Sequence, residues 1–97
     1  MKKAVIYVRG QKEKMQEIFC RLYASDKGYK VVYVTTNIDD VNLCDVLLLT
    51  NPSRISRNRL EYEEIVNKLK AKNIEVECAI DHENAVDNIS LTMDLLR

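Results

Sequence analysis

The chain has 97 residues and a formal net charge of zero, 15 Lys and Arg against 15 Asp and Glu. That length is expected to hold one domain over residues 1–97, burying roughly 60–65% of the surface its unfolded chain exposes, with no room for a second domain. The charge balance excludes general adhesion to nucleic acid or anionic membrane and leaves a local patch as the means of holding phosphate.

The opening MKKAVIYVRG carries an apolar run too short for a signal-peptide core or a membrane-spanning helix. Residues 3–8 (KAVIYV) are apolar and β-branched and stop at Gly10, which predicts a first strand buried on both faces. Met15, Ile18, Phe19, Leu22 and Tyr23 then recur at helical spacing, so a helix over about residues 12–27 is expected to bury them as one stripe, with Gly28 as its stop. A second strand follows at 29–35 (YKVVYVT) and a third at 44–50 (CDVLLLT). Only TNIDDVNL, residues 36–43, joins them, fewer than the dozen residues a parallel crossover usually takes, so either a single short turn of helix is expected there or an unexpected pairing of the second strand, an antiparallel one above all. Asn58 and Glu61 in capping-box spacing begin a helix over about 58–72 with Tyr62, Ile65, Val66 and Leu69 on one face, and Asn73 is placed to cap its end. Residues 74–79 (IEVECA) alternate like an edge strand. Asp81 then caps a last helix striped by Ala85, Ile89, Met93 and Leu96.

This order implies a three-layer α/β domain around a predominantly parallel four-stranded sheet of order 2-1-3-4, with Val5, Tyr7, Val32, Leu47, Leu49, Phe19 and Ile65 substantially buried. Cys20, Cys44 and Cys78 have neither CxxC spacing nor a neighbouring histidine. They are expected to be reduced thiols of a cytoplasmic protein, and no metal or other cofactor is expected. His82 is read as a polar loop residue, Asp39 and Asp40 as solubilising a turn, and Asp45 as part of the start of the third strand.

With the first strand central, crossovers leave in opposite directions and a crevice opens at the carboxyl ends of strands one and three. Those ends carry Arg9 and Arg54, and Arg57 lies one turn further, near the start of the second long helix. Guanidinium forks match phosphate oxygens at two points, and unpaired N–H groups at a helix start favour an anion, so Arg9, Arg54 and Arg57 form a candidate phosphate site.

The same residues resemble the catalytic domain of serine recombinases, the resolvases and invertases. AVIYVRG (4–10) is similar to the family's opening Y-x-R-x-S, QEIFCRLYASDKGYKVV (16–32) to its first helix and second strand, and LLLTNPSRISRNRLEYEEIVNKLKAKNIEV (47–76) to the segment holding D-R-L-S-R-N. The resemblance implies a resolvase-like fold and a site in which a serine attacks a DNA phosphodiester while arginines hold the phosphate. Matched position by position, the family's tyrosine and first arginine are Tyr7 and Arg9. Its nucleophilic serine is Gln11, and its aspartate, two arginines, serine and asparagine are Ser53, Arg54, Arg57, Ser56 and Asn58. Gln16 falls on a glutamine common in the family's first helix.

A carboxamide at Gln11 has no hydroxyl with which to form a phosphoester. The loop between Gln11 and Gln16 is shorter than in the family, and TNIDDVNL replaces the stretch that carries another active-site arginine. The resemblance therefore implies a degenerate, non-catalytic site that binds DNA phosphates without cleaving them. Homodimer formation, or pairing with a recombinase, is expected through the C-terminal helix, where Leu91, Leu95 and Leu96 broaden the apolar stripe; no membrane partner is expected. The enzymatic alternative is phosphoryl transfer through Ser53 or Ser56, and the non-enzymatic one a protein-interaction remnant without DNA binding.

Overall fold

The computed structural model describes residues 1–79 of the chain. The last predicted helix, with its leucines, and His82 lie outside the described residues. Four strands, β1 (Lys3–Tyr7), β2 (Lys30–Thr35), β3 (Val46–Leu49) and β4 (Glu75–Cys78), form an all-parallel sheet of order β2-β1-β3-β4. Helix α1 (Glu13–Lys27) packs on one face and α2 (Arg59–Ala71) on the other, giving three layers.

The continuous apolar runs become the central strands because both their faces are covered: Ala4 to Val8 and Val46 to Leu49 are all buried. Alternation along them divides the core. Ala4, Ile6, Val46 and Leu48 face α1, whereas Val5, Tyr7, Leu47 and Leu49 face α2 with Ile55, Leu69 and Ile74. Among the described residues no helix is long and apolar enough to cross a membrane, and Cys20, Cys44 and Cys78 are free thiols.

The short connection after β2 does not reverse the strand. A 3₁₀ turn at Ile38–Asp40 crosses β1 on the α2 side, where Val41 is buried and Ile38 packs beside it. The Tyr33 hydroxyl pins this turn by donating to the Asp40 carbonyl at 2.6 Å. A turn of this size suffices because it passes over a single strand.

Two expectations of burial need correction. Val32 is 38% exposed, since the β1–β2 register shifts between Ala4 and Val5, pairing Ala4 with Val31 and Val5 with Tyr33, and leaves Val32 without a partner on an edge strand. Helix α1 is turned about its axis from the predicted stripe. Gln16, Cys20 and Ala24 meet the sheet, while Met15, Ile18 and Leu22 stand 48%, 50% and 63% exposed. Phe19 and Tyr23 are half-buried at the stripe's edge, and Ile65 is half-buried on α2. Small Cys20 and Ala24 let the helix axis approach the strands closely, and close packing outweighs the bulk of the longer side chains. The Tyr23 and Tyr29 hydroxyls, donating to Glu77 on β4 at 2.8 and 3.0 Å, fix this orientation.

Burial sets the titration of these groups. It pushes the Cys20 thiol up to about 12. It also holds the Tyr23 and Tyr29 phenols above their ordinary range, reinforced by their hydrogen bonds to the Glu77 carboxylate.

Candidate functional site

At the carboxyl end of β1 the chain leaves the core through Arg9 and Gly10. Gly10 has φ +87, a left-handed conformation that disfavours a side chain, and a Cβ there would lie 3.4 Å from Arg54 Nη1. The turn is held from below by Gln16, which is only 3% exposed on the sheet-facing side of α1. Its Oε1 accepts from the Arg9 N–H at 3.0 Å, and its Nε2 donates to the Arg9 and Gln11 carbonyls at 2.9 and 2.7 Å. A buried carboxamide must satisfy both ends, and these loop groups do so.

The opposite wall grows from β3. Asn51 caps a 3₁₀ turn at Pro52–Arg54, its Oδ1 accepting from the Ser53 N–H at 3.0 Å and from the Ser53 hydroxyl. This turn aims Arg54 back across the sheet end. Arg54 Nε donates to Thr50 Oγ1 at 3.3 Å and Nη1 to the Arg9 carbonyl at 3.3 Å, while Arg9 Nη1 donates to the Ile55 carbonyl at 3.4 Å. Arg9 and Arg54 therefore brace each other's segments. The Arg57 guanidinium makes no hydrogen bond or ion pair with the described residues.

Arg9, Arg54 and Arg57 line one cleft of about 310 Å³, with Ser53, Ser56 and Glu61 on its rim. Like-charged guanidiniums gathered in this way repel one another, and an anion between them relieves the repulsion. Glu61 offsets part of the charge. Its Oε1 accepts from the Ser56 hydroxyl at 2.6 Å, and Ser56 Oγ in turn accepts from the Asn58 N–H at 3.0 Å.

The structure separates other residues that sequence matching placed together. Tyr7 is 3% exposed in the core on the α2 side and does not line the cleft. Gln11 is exposed, and its side chain does not line the cleft either. The start of α2 also offers less to an anion than expected, because Asn58 Oδ1 already accepts from the Leu60 and Glu61 N–H groups at 2.9 and 3.1 Å. An anion here is met chiefly by guanidinium groups. Arg59 points away and pairs with Glu63 at 3.2 Å on the exposed helix surface. Glu61, read from the sequence as a capping residue, is the member of the cleft that sequence reasoning missed. Its spacing from Asn58 was the only signal, and it gave no indication of Ser56.

No protein-family model matches the chain, and no curated protein matches it.

Proposed function

We propose that the chain is a non-catalytic, serine-recombinase-like domain that holds a DNA phosphate between Arg9, Arg54 and Arg57. The observation that carries this reading is the convergence of those guanidiniums, from segments that follow two different strands, on one cleft at the carboxyl ends of β1 and β3. That is the crevice position at which open parallel sheets take ligands. The resemblance of residues 4–10, 16–32 and 47–76 to recombinases supplies DNA as the source of the phosphate, and the parallel order β2-β1-β3-β4 is compatible with a resolvase-like fold. The lack of cleavage rests on Gln11, which has no nucleophilic hydroxyl and stands outside the cleft.

Phosphate contact alone carries no base sequence information, so binding is non-specific, at roughly micromolar affinity or weaker at physiological salt. Fluorescence anisotropy with a labelled duplex at low and at physiological salt is the test. Affinity falls with salt if phosphate contacts drive binding, and salt-independent binding rejects the reading.

Two observations favour other readings. Met15, Ile18 and Leu22 form an outward apolar stripe on α1, which suits a protein partner and predicts association nearly indifferent to salt. The Ser56 hydroxyl and Glu61 carboxylate stand at the spacing of a nucleophile and its base. A phosphoserine adduct at Ser56 on incubation with DNA would support phosphoryl transfer.

A further inference from the structure

Arg54 is a wall shared by two clefts. The arginine cleft lies on its α2 side, and on the α1 side a smaller one of about 130 Å³ opens between the first turns of α1 and the end of β3. We infer that this second cleft seats a nucleobase, so that the two together take a nucleoside phosphate whose base is unpaired. The inference rests on the phosphate reading of the arginine cleft and names the class of compound that carries the phosphate.

The two clefts differ as the two halves of a nucleotide do. On the smaller one's apolar side are Met15, half exposed, and the half-buried ring of Phe19, which together offer a thioether and an aromatic surface. Its polar groups are donors. The Thr50 hydroxyl, on a residue only 4% exposed, accepts from Arg54 Nε and has no acceptor for its own proton among the described residues. Asn51 spends its Oδ1 on Ser53, and its NH₂ group has no acceptor among the described residues. Lys12 completes the set with an ammonium group.

A flat ring edged with carbonyl oxygens meets both requirements, stacking on an aromatic face and accepting from the rim. Thymine and guanine carry such oxygens. Because Arg54 borders both clefts, a phosphate on its α2 side and a base on its α1 side fall within one nucleotide. A base still paired in a duplex has its edge and faces occupied and cannot enter without leaving the stack. The ligand is therefore either a free mononucleotide or a nucleotide in a single-stranded segment, and both share this chemistry.

The experiment compares thymidine 5′-monophosphate with deoxyribose 5-phosphate, by chemical-shift titration of the full chain. The nucleotide is expected to bind about tenfold more tightly, the scale of one base stacked on an aromatic ring. Phe19→Leu should bring the ratio close to one with deoxyribose 5-phosphate affinity unchanged. Met15→Ser, at a half-exposed position where folding is not at risk, should lower the same ratio. Equal binding of the two compounds by the parent chain overturns the nucleobase inference and leaves the phosphate site standing. Binding of neither overturns both. A third arm compares the mononucleotide with single-stranded and duplex oligothymidylate–oligoadenylate probes. Preference for the single strand, or mononucleotide binding of equal strength, supports an unpaired nucleotide and identifies its source. Tighter binding to the duplex overturns the inference.

Discussion

Gln16 never touches the cleft of the three arginines, yet the position of Arg9 depends on it through contacts to the backbone at Arg9 and Gln11. Gln16→Leu retains bulk and removes every one of those bonds. A loss of ~1–3 kcal/mol in denaturant-unfolding stability is expected, together with weaker phosphate binding because the Arg9 turn is released. Unchanged stability and unchanged affinity would show that the turn holds itself. Arg54 and Arg57 are tested together as alanines. Arg57 is exposed and has no partner among the described residues, and Arg54 makes only long hydrogen bonds near the surface, so the double variant should fold with a loss of about 1 kcal/mol. Its affinity for DNA or inorganic phosphate at low salt should fall severalfold or more. Equal binding by the variant and the parent would mean that the guanidiniums are simply hydrated, and would favour the protein-partner reading.

At the scale of elements, α1 carries a pH dependence that follows from its packing. The Cys20 thiol is raised from 9.0 to about 12, so the folded state retains its proton where the unfolded chain has lost it. The resulting contribution to stability is present in full below about pH 9 and is lost as pH rises toward 12. Tyr23 and Tyr29, also raised, act with the same sign from about pH 10 upward. Urea midpoints measured from about pH 8 to pH 11 should therefore decline, and Cys20→Ala and Tyr23→Phe should each flatten the decline. A midpoint constant over that range would contradict the burial of both groups. The strands were legible in the sequence because burial on two faces writes itself as an unbroken apolar run, as in VLLLT, and an edge as alternation, as in IEVECA. The face of α1 was not. Periodicity locates an apolar stripe, but the helix docks where Cys20, Ala24 and a hydrogen-bonding Gln16 allow close approach. The arginines were legible at the cleft because topology alone brings the ends of β1 and β3 together. Glu61 escaped notice since its bond to Ser56 spans the turn before α2, where no repeat pattern runs.

For the whole molecule, the separation of Gln11 from the cleft has a chemical outcome. Supercoiled DNA incubated with the protein should show no protein-linked strand on a denaturing gel. Gln11→Ser alone should not create one, since position 11 does not line the cleft and the Gln16 bonds hold its backbone in place. An adduct formed by the parent chain would refute the non-catalytic reading. The hold that Gln16 exerts has another consequence, in time rather than in space. Arg9 is an exposed residue, and a surface amide of that kind ordinarily trades its proton with water quickly. Here the acceptor for that amide is a side chain of α1, so the proton is released only when the helix lifts from the sheet or the carboxamide swings away. In hydrogen–deuterium exchange the Arg9 amide should be protected like a core position, and Gln16→Leu should restore fast exchange at Arg9 while leaving Val5 and Ile6 slow. One proton at the mouth of the site thus serves as a clock for the docking of a helix behind it.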